Sequence, residues 1–275
     1  MFVRLIRVEL YRALHGISLK IALIIGSVLA LEHFIMRVLP SLEYRFYGHH
    51  PDVAFSIVAN VQGSWMSGMI TAENNIYRMI VPLLVTFPYA ASFYLDKKNG
   101  VIKNIVTRVN VRDFLIAKSA AVFVSAGITA VFPLILNLML TCTVVPIINY
   151  DWLQMPSAEA LFIRTALSNY ILYCILYMVI IFIFAGLVAG VSLTISLYAD
   201  NIFATLSLPF LLSTVLGRLC RYSGSEFIEG LKVSRLFDIA QSGPANILSF
   251  ITLFIILLMS GYVAFVIIGV KKDVL

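Results

Sequence analysis

The chain has 275 residues, 61% of them hydrophobic and only 12% charged, with a net charge of +6 and a mean hydropathy of +0.97. A soluble protein of this length needs far more polar surface, so the composition excludes a water-soluble globule and points to several membrane-spanning helices. In such a chain the placement of positive charge matters more than its sum, and +6 is not a nucleic-acid signature.

Residues 1–16 carry a helical period. Phe2, Ile6, Leu10 and Ala13 share one face, and Arg4, Arg7 and Tyr11 another. The pattern fits a helix lying in the membrane interface with its cations toward lipid phosphates, or a plain extension of the first span. No small-x-small cleavage site closes the apolar run that follows, so it is read as a retained span rather than a signal peptide.

Six spans are expected in an all-α integral membrane protein, a single transmembrane domain over 1–275. They are Ile17–Leu39, Met79–Leu95, Phe114–Ile135 with a possible continuation toward Ile148, Leu167–Ser196, Ile202–Leu216 and Ile247–Val270. Pro82 and Pro88 fall in the second, Pro133 and Pro146 in or near the third, and Pro209 in the fifth; each removes a helical hydrogen bond. Residues 40–78 and 217–246 are the expected outer segments. Val53–Ile70 is apolar but holds Asn60 and Gln62, and is read as lying on or dipping into the outer leaflet. Arg218–Asp238 carries Phe227, Leu231 and Ser234 against Glu226, Glu229 and Lys232, the pattern of a short amphipathic helix or an ordinary loop.

Charge placement sets the orientation. With both termini inside, the inner segments hold 12 cations and five carboxylates, and the outer segments eight and nine. The bias follows the positive-inside rule, and a seventh span at Val53–Ile70 would break it.

The densest packet of charge is Asp96–Lys118, where eight of 23 residues are Lys, Arg or Asp. Within it Val101, Ile102, Ile105, Val106 and Val109 share one helical face, while Lys103, Asn104, Thr107, Arg108 and Asn110 occupy the other. Asn99-Gly100 ahead of them is a turn signal. Two readings stand: a loop that only anchors topology, or a helix whose polar face docks on a cytoplasmic partner.

The stretch "YLDKKNGVIKNIVTRVNVRDFLIAKSAAVF" resembles the signature loop of ABC-2 type permeases, the membrane subunits of ABC exporters with type V, ABCG-like architecture. The N-terminal "FVRLIRVELYRAL", six spans and C-terminal "KKDVL" are similar in layout, although Val109 and Asn110 stand near where that family often has a proline. The resemblance implies that residues 96–113 form a coupling loop touching an ATP-binding subunit. The contacting residues would be Val101, Ile102, Lys103, Asn104, Ile105, Thr107, Arg108 and Arg112. It further implies two ATPase copies, a second permease copy in a homo- or heterodimer, and a multi-pass place in a bacterial cell membrane. The cargo would be a peptide, lipid or amphiphilic drug. No G-x-x-x-x-G-K-[ST] occurs, so the chain is expected to bind no cofactor and to leave ATP and Mg to the partner. The alternative is an ATP-independent carrier, channel or assembly factor.

Catalytic signals are thin, and no enzyme activity or nucleic-acid partner is expected. His49-His50-Pro51-Asp52 lacks a second ligand cluster. Cys142, Cys174 and Cys220 show no ligand spacing and read as apolar thiols. Glu32, His33 and Arg37 sit near the outer end of span one, where they either snorkel or line a path. The cores of spans three, four and six carry no Asp, Glu, Lys, Arg or His for a proton relay.

Overall fold

The computed structural model describes residues 2–42, 60–67, 71–147, 162–222, 225–237 and 247–271, and these are helical with no strand among them. Among the described residues five helices are long and apolar enough to cross a membrane: Ile17–Leu42, Val111–Val144, Tyr170–Ser196, Ile202–Cys220 and Ile247–Lys271. In chain order we label α1 Phe2–His15, α2 Ile17–Leu42, α3 Val61–Ser64, α4 Ala72–Leu84, α5 Ser92–Lys98 and α6 Val101–Val106. Then come α7 Val111–Val144, α8 Ile163–Ser168, α9 Tyr170–Ser196, α10 Ile202–Tyr222, α11 Glu226–Gly230, α12 Val233–Leu236 and α13 Ile247–Lys271.

Helix α1 ends where Gly16 adopts an extended backbone (φ −64°, ψ 145°), which separates it from α2. The buried face of α1 is Glu9 and Ala13, flanked by half-buried Leu5, Ile6 and Leu10. Along α2 the buried stripe is Leu19, Ala22, Gly26, Ala30 and His33. Its small residues let the helix approach α7 closely: a Cβ on Gly26 would run into Pro133 Cγ. A π-helical turn, Phe34–Val38, interrupts α2 directly after His33.

Helix α7 is the central element. Its 34 residues extend about 51 Å, well beyond a hydrocarbon core of about 30 Å. Asn110 caps its start by accepting a hydrogen bond from Arg112 N at 3.0 Å. Helix α9 packs along it through small residues under rings, with Gly127 beneath Phe182 and Gly186 beneath Phe123. Helix α13 meets α9 backbone to backbone at Gly261 and Gly190, where Thr194 Oγ1 donates to Gly261 O in a second π-helical turn, Met259–Val263. Helix α10 is the least covered of the five and α7 the most.

The expected second span, Met79–Leu95, is not one helix. Helices α4 and α5 are separate pieces joined by turns over 85–91. Pro88 cannot donate to Leu84 O, and proline disfavours helical geometry in the residue before it. The broken stretch still runs the length of the bundle, since Glu73 meets Arg37 beside one end of α2 and Asp96 meets Lys118 near the start of α7. The fourth span starts at Tyr170 rather than Leu167, because Asn169 leaves the helix (φ −152°) and caps α9 through Leu172 N at 3.1 Å. The third continues unbroken to Val144 despite Pro133. Arg218–Asp238 holds the end of α10 and the short helices α11 and α12.

Candidate functional site

The Asp96–Lys118 stretch begins and ends in one buried charge cluster. Helix α5 brings Asp96 to the end of the bundle where α1 and the start of α7 meet. Arg12 grips its carboxylate with two nitrogens, Nη2 to Oδ1 at 2.8 Å and Nη1 to Oδ2 at 3.4 Å. Arg12 Nη1 also reaches Glu9 Oε1 at 3.0 Å. Lys118, fully buried, pairs with Asp96 and lies 3.1 Å from Glu9 Oε2. Tyr89, from the turns between α4 and α5, donates its hydroxyl to Glu9 Oε2 at 2.6 Å and accepts from Lys118 Nζ at 3.4 Å. The ammonium also stands over the Tyr89 ring, 4.6 Å from its centroid.

The cluster closes on itself. Two carboxylates face two cations, and the three Lys118 donors meet three acceptors. Buried charge is tolerated only under such pairing. Burial alone would raise the Asp96 carboxyl, but the Arg12 hydrogen bonds and the Lys118 charge outweigh it and hold the group below its ordinary value. The pairing draws on three helices. It is a joint that ties α1, α5 and α7 together. Tyr94 OH on α5 adds a bond to Asp200 O at 2.9 Å, beyond the end of α9.

Immediately after this joint the chain turns. Asn99 ends α5, and Gly100 takes φ 68°, a left-handed conformation that glycine adopts without strain. Helix α6 follows. Ile102 is buried and Val101, Ile105, Val106 and Val109 are half-buried against the bundle. Lys103, Asn104, Thr107, Arg108, Asn110 and Arg112 are exposed. The face is therefore cationic, accessible and rooted in the charge joint.

Comparison with known proteins returns no match to a family model, a curated protein or a solved structure. Nothing outside the chain itself supplies a role for this face.

The Glu32, His33 and Arg37 group is split by the structure. Glu32 is exposed, on a different face from buried His33. Arg37 Nε pairs with Glu73 Oε1 of α4 at 3.0 Å. His33 turns toward α7, where Asn137 Nδ2 lies 3.1 Å from its Nδ1 and donates to Ala30 O at 2.9 Å. His49, His50 and Asp52 lie outside the described residues. Among the described residues no three His, Cys, Asp or Glu side chains group as metal ligands. Cys142 is exposed, Cys174 buried and Cys220 between.

Two features go beyond what the sequence pattern suggests. Glu9, Tyr89, Asp96 and Lys118 are scattered over about 110 positions, but Glu9 on the apolar side of α1 and Lys118 inside an apolar run were signals. The described part of Val53–Ile70, Asn60–Ser67, does not lie on a surface. It is inserted beside α7 and α9, with Trp65 and Met66 fully buried; the rest of that stretch lies outside the described residues.

Proposed function

We propose that this chain is the membrane subunit of an ATP-driven exporter of the ABC-2 type. Six traverses per copy, with the broken stretch that ends at Leu95 as the second, pack against a second permease copy in a bacterial cell membrane, both termini inside. Residues 96–113 serve as the coupling loop, and two separate ATP-binding subunits carry ATP and Mg. Their closure pushes on α6 and shifts the population between inward- and outward-facing states, moving a peptide, lipid or amphiphilic drug outward.

One observation supports this reading above the others. The exposed face of Lys103, Asn104, Thr107, Arg108 and Arg112 is attached, through Asp96, to a buried joint that grips α1 and α7. Force applied there reaches the bundle rather than bending a loose loop. An anchoring loop needs positive charge but no such root.

The test is purification of the full-length chain in mild detergent with mass-spectrometric identification of co-purifying proteins. An ATPase retained by the wild type and lost in Lys103→Glu/Arg108→Glu is the expected result. A folded double variant that keeps its partners and its transport unchanged ends the docking role. A complex without any ATPase favours the carrier, channel or assembly-factor class.

A further inference from the structure

Segment Asn60–Ser67 is an irregular insertion among helices. Only Val61–Ser64 are helical, under an Asn60 cap that accepts from Gly63 N at 2.8 Å. One isolated helical turn has no stability of its own. Within a membrane bundle non-helical backbone is tolerated only where protein covers it or a water-filled cavity adjoins it. Here three donors hold it to α7 and its C-terminal extension. Val61 N bonds Pro146 O at 3.1 Å, Trp65 Nε1 bonds Leu134 O at 3.2 Å, and Met66 N bonds Asn137 Oδ1 at 3.0 Å. On the other side the Trp65 ring stands edge-on to Tyr170 and Tyr177 of α9, with centroids at 6.4 and 5.5 Å. The segment thus fills the cleft between the two central helices.

Asn137 links this filling to α2. Its Oδ1 holds Met66, while its Nδ2 faces Ala30 O and His33 Nδ1 on α2. The amide cannot flip without opposing its own NH2 to the Met66 N–H. Directly after His33 comes the π-helical turn of α2, a geometry rare in helices and frequent at functional positions. A shift of α2 along its Ala22–Gly26–Ala30 stripe must break the Nδ2 contacts and free the amide to turn away from Met66.

We infer that Asn60–Ser67 is a stopper that closes the cleft between α7 and α9, with Asn137 as the latch that releases it when α2 moves. Cys174 reports on it. This buried thiol falls on the same face of α9 as Tyr170 and Tyr177, the two rings that Trp65 meets. The stopper requires only a membrane bundle and stands whether or not an ATPase docks on α6.

The test uses the full chain in lipid nanodiscs with Cys142→Ser and Cys220→Ser. Two rates are measured: hydrogen exchange of peptide 60–67, and reaction of Cys174 with a water-soluble methanethiosulfonate. Asn137→Ala is expected to speed both by the same factor, about tenfold for the loss of a buried hydrogen-bond set, with exchange in the middle of α7 unchanged. Trp65→Phe keeps a ring and removes one donor, so both rates should rise together by about threefold. Faster exchange with unchanged Cys174 reaction means local fraying and overturns the stopper. So do two unchanged rates in folded protein, or a parallel rise throughout α7. If Asn137→Ala does not give monodisperse protein, Trp65→Phe decides alone.

Discussion

Lys118 and Glu9 stand 109 positions apart in the chain, yet Lys118 Nζ lies 3.1 Å from Glu9 Oε2 with both side chains almost wholly buried. Neither charge is stable there without the other and without Asp96, so α1 is bound into the bundle by the same contact that permits a lysine inside α7.

Removing the ammonium should therefore be costly. Lys118→Met leaves Glu9 and Asp96 buried together with Arg12 as their only cation among the described residues, a loss of about 3–5 kcal/mol. Heat-induced loss of monodisperse protein in detergent measures it. Lys118→Met/Glu9→Gln should recover part of the loss, because Asp96 then retains Arg12 without a competing carboxylate. A double variant no better than the single would mean the cost comes from packing alone.

The joint also predicts an acid limit. The Asp96 carboxyl is lowered in the folded chain from its ordinary value of 3.8. A depressed carboxylate stabilises the fold above its unfolded value and loses that contribution as pH falls through the folded value. The heat-stability gap between wild type and Asp96→Asn should stay constant from neutral pH to about 5 and close only below 3.8. A gap that closes already near pH 6 would show that another group titrates.

The two faces of α6 should separate in mutation. Ile102→Ala empties a buried site and should destabilise by about 2–4 kcal/mol. Lys103→Glu/Arg108→Glu alters exposed groups and should change stability by less than about 0.5 kcal/mol. Thermal unfolding of the two variants beside the wild type checks this. Equal loss in both would place the cationic side against the bundle.

Close approach of α2 to α7 rests on Gly26. Gly26→Val drives a side chain into Pro133, whose ring cannot swing away, and should cost about 1–3 kcal/mol. At Gly217 on α10 a Cβ would meet nothing within 4 Å, so Gly217→Val serves as the control and should be near neutral in thermal unfolding. Comparable losses at both positions would mean that glycine flexibility, not contact, sets the effect.

Orientation can be read with added thiols in a Cys142→Ser/Cys220→Ser background. Asn99→Cys should react with an impermeant reagent only in opened cells, and Arg164→Cys from outside intact cells. Reaction of both from one side contradicts the positive-inside assignment.

By itself the sequence determined the membrane class, since apolar runs near Ile17, Phe114, Leu167, Ile202 and Ile247 are long enough to leave no other solvent for their surface. It also determined α6, because the Asn99-Gly100 turn and the Val101–Val109 period are local properties of adjacent residues. The break between α4 and α5 was foreshadowed by Pro88, though not its depth, whereas Pro82 sits inside an unbroken α4. Only the tertiary structure decided the rest. Lys118 is a lone charge at the start of an apolar run until Glu9, Tyr89 and Asp96 converge on it, and Asn60–Ser67 reads as interfacial until Asn137 and Leu134 offer acceptors for its donors. Period and hydropathy report what each residue prefers against an average solvent. Buried polar groups are placed by partners far along the chain, whose hydrogen bonds and opposite charge replace that solvent.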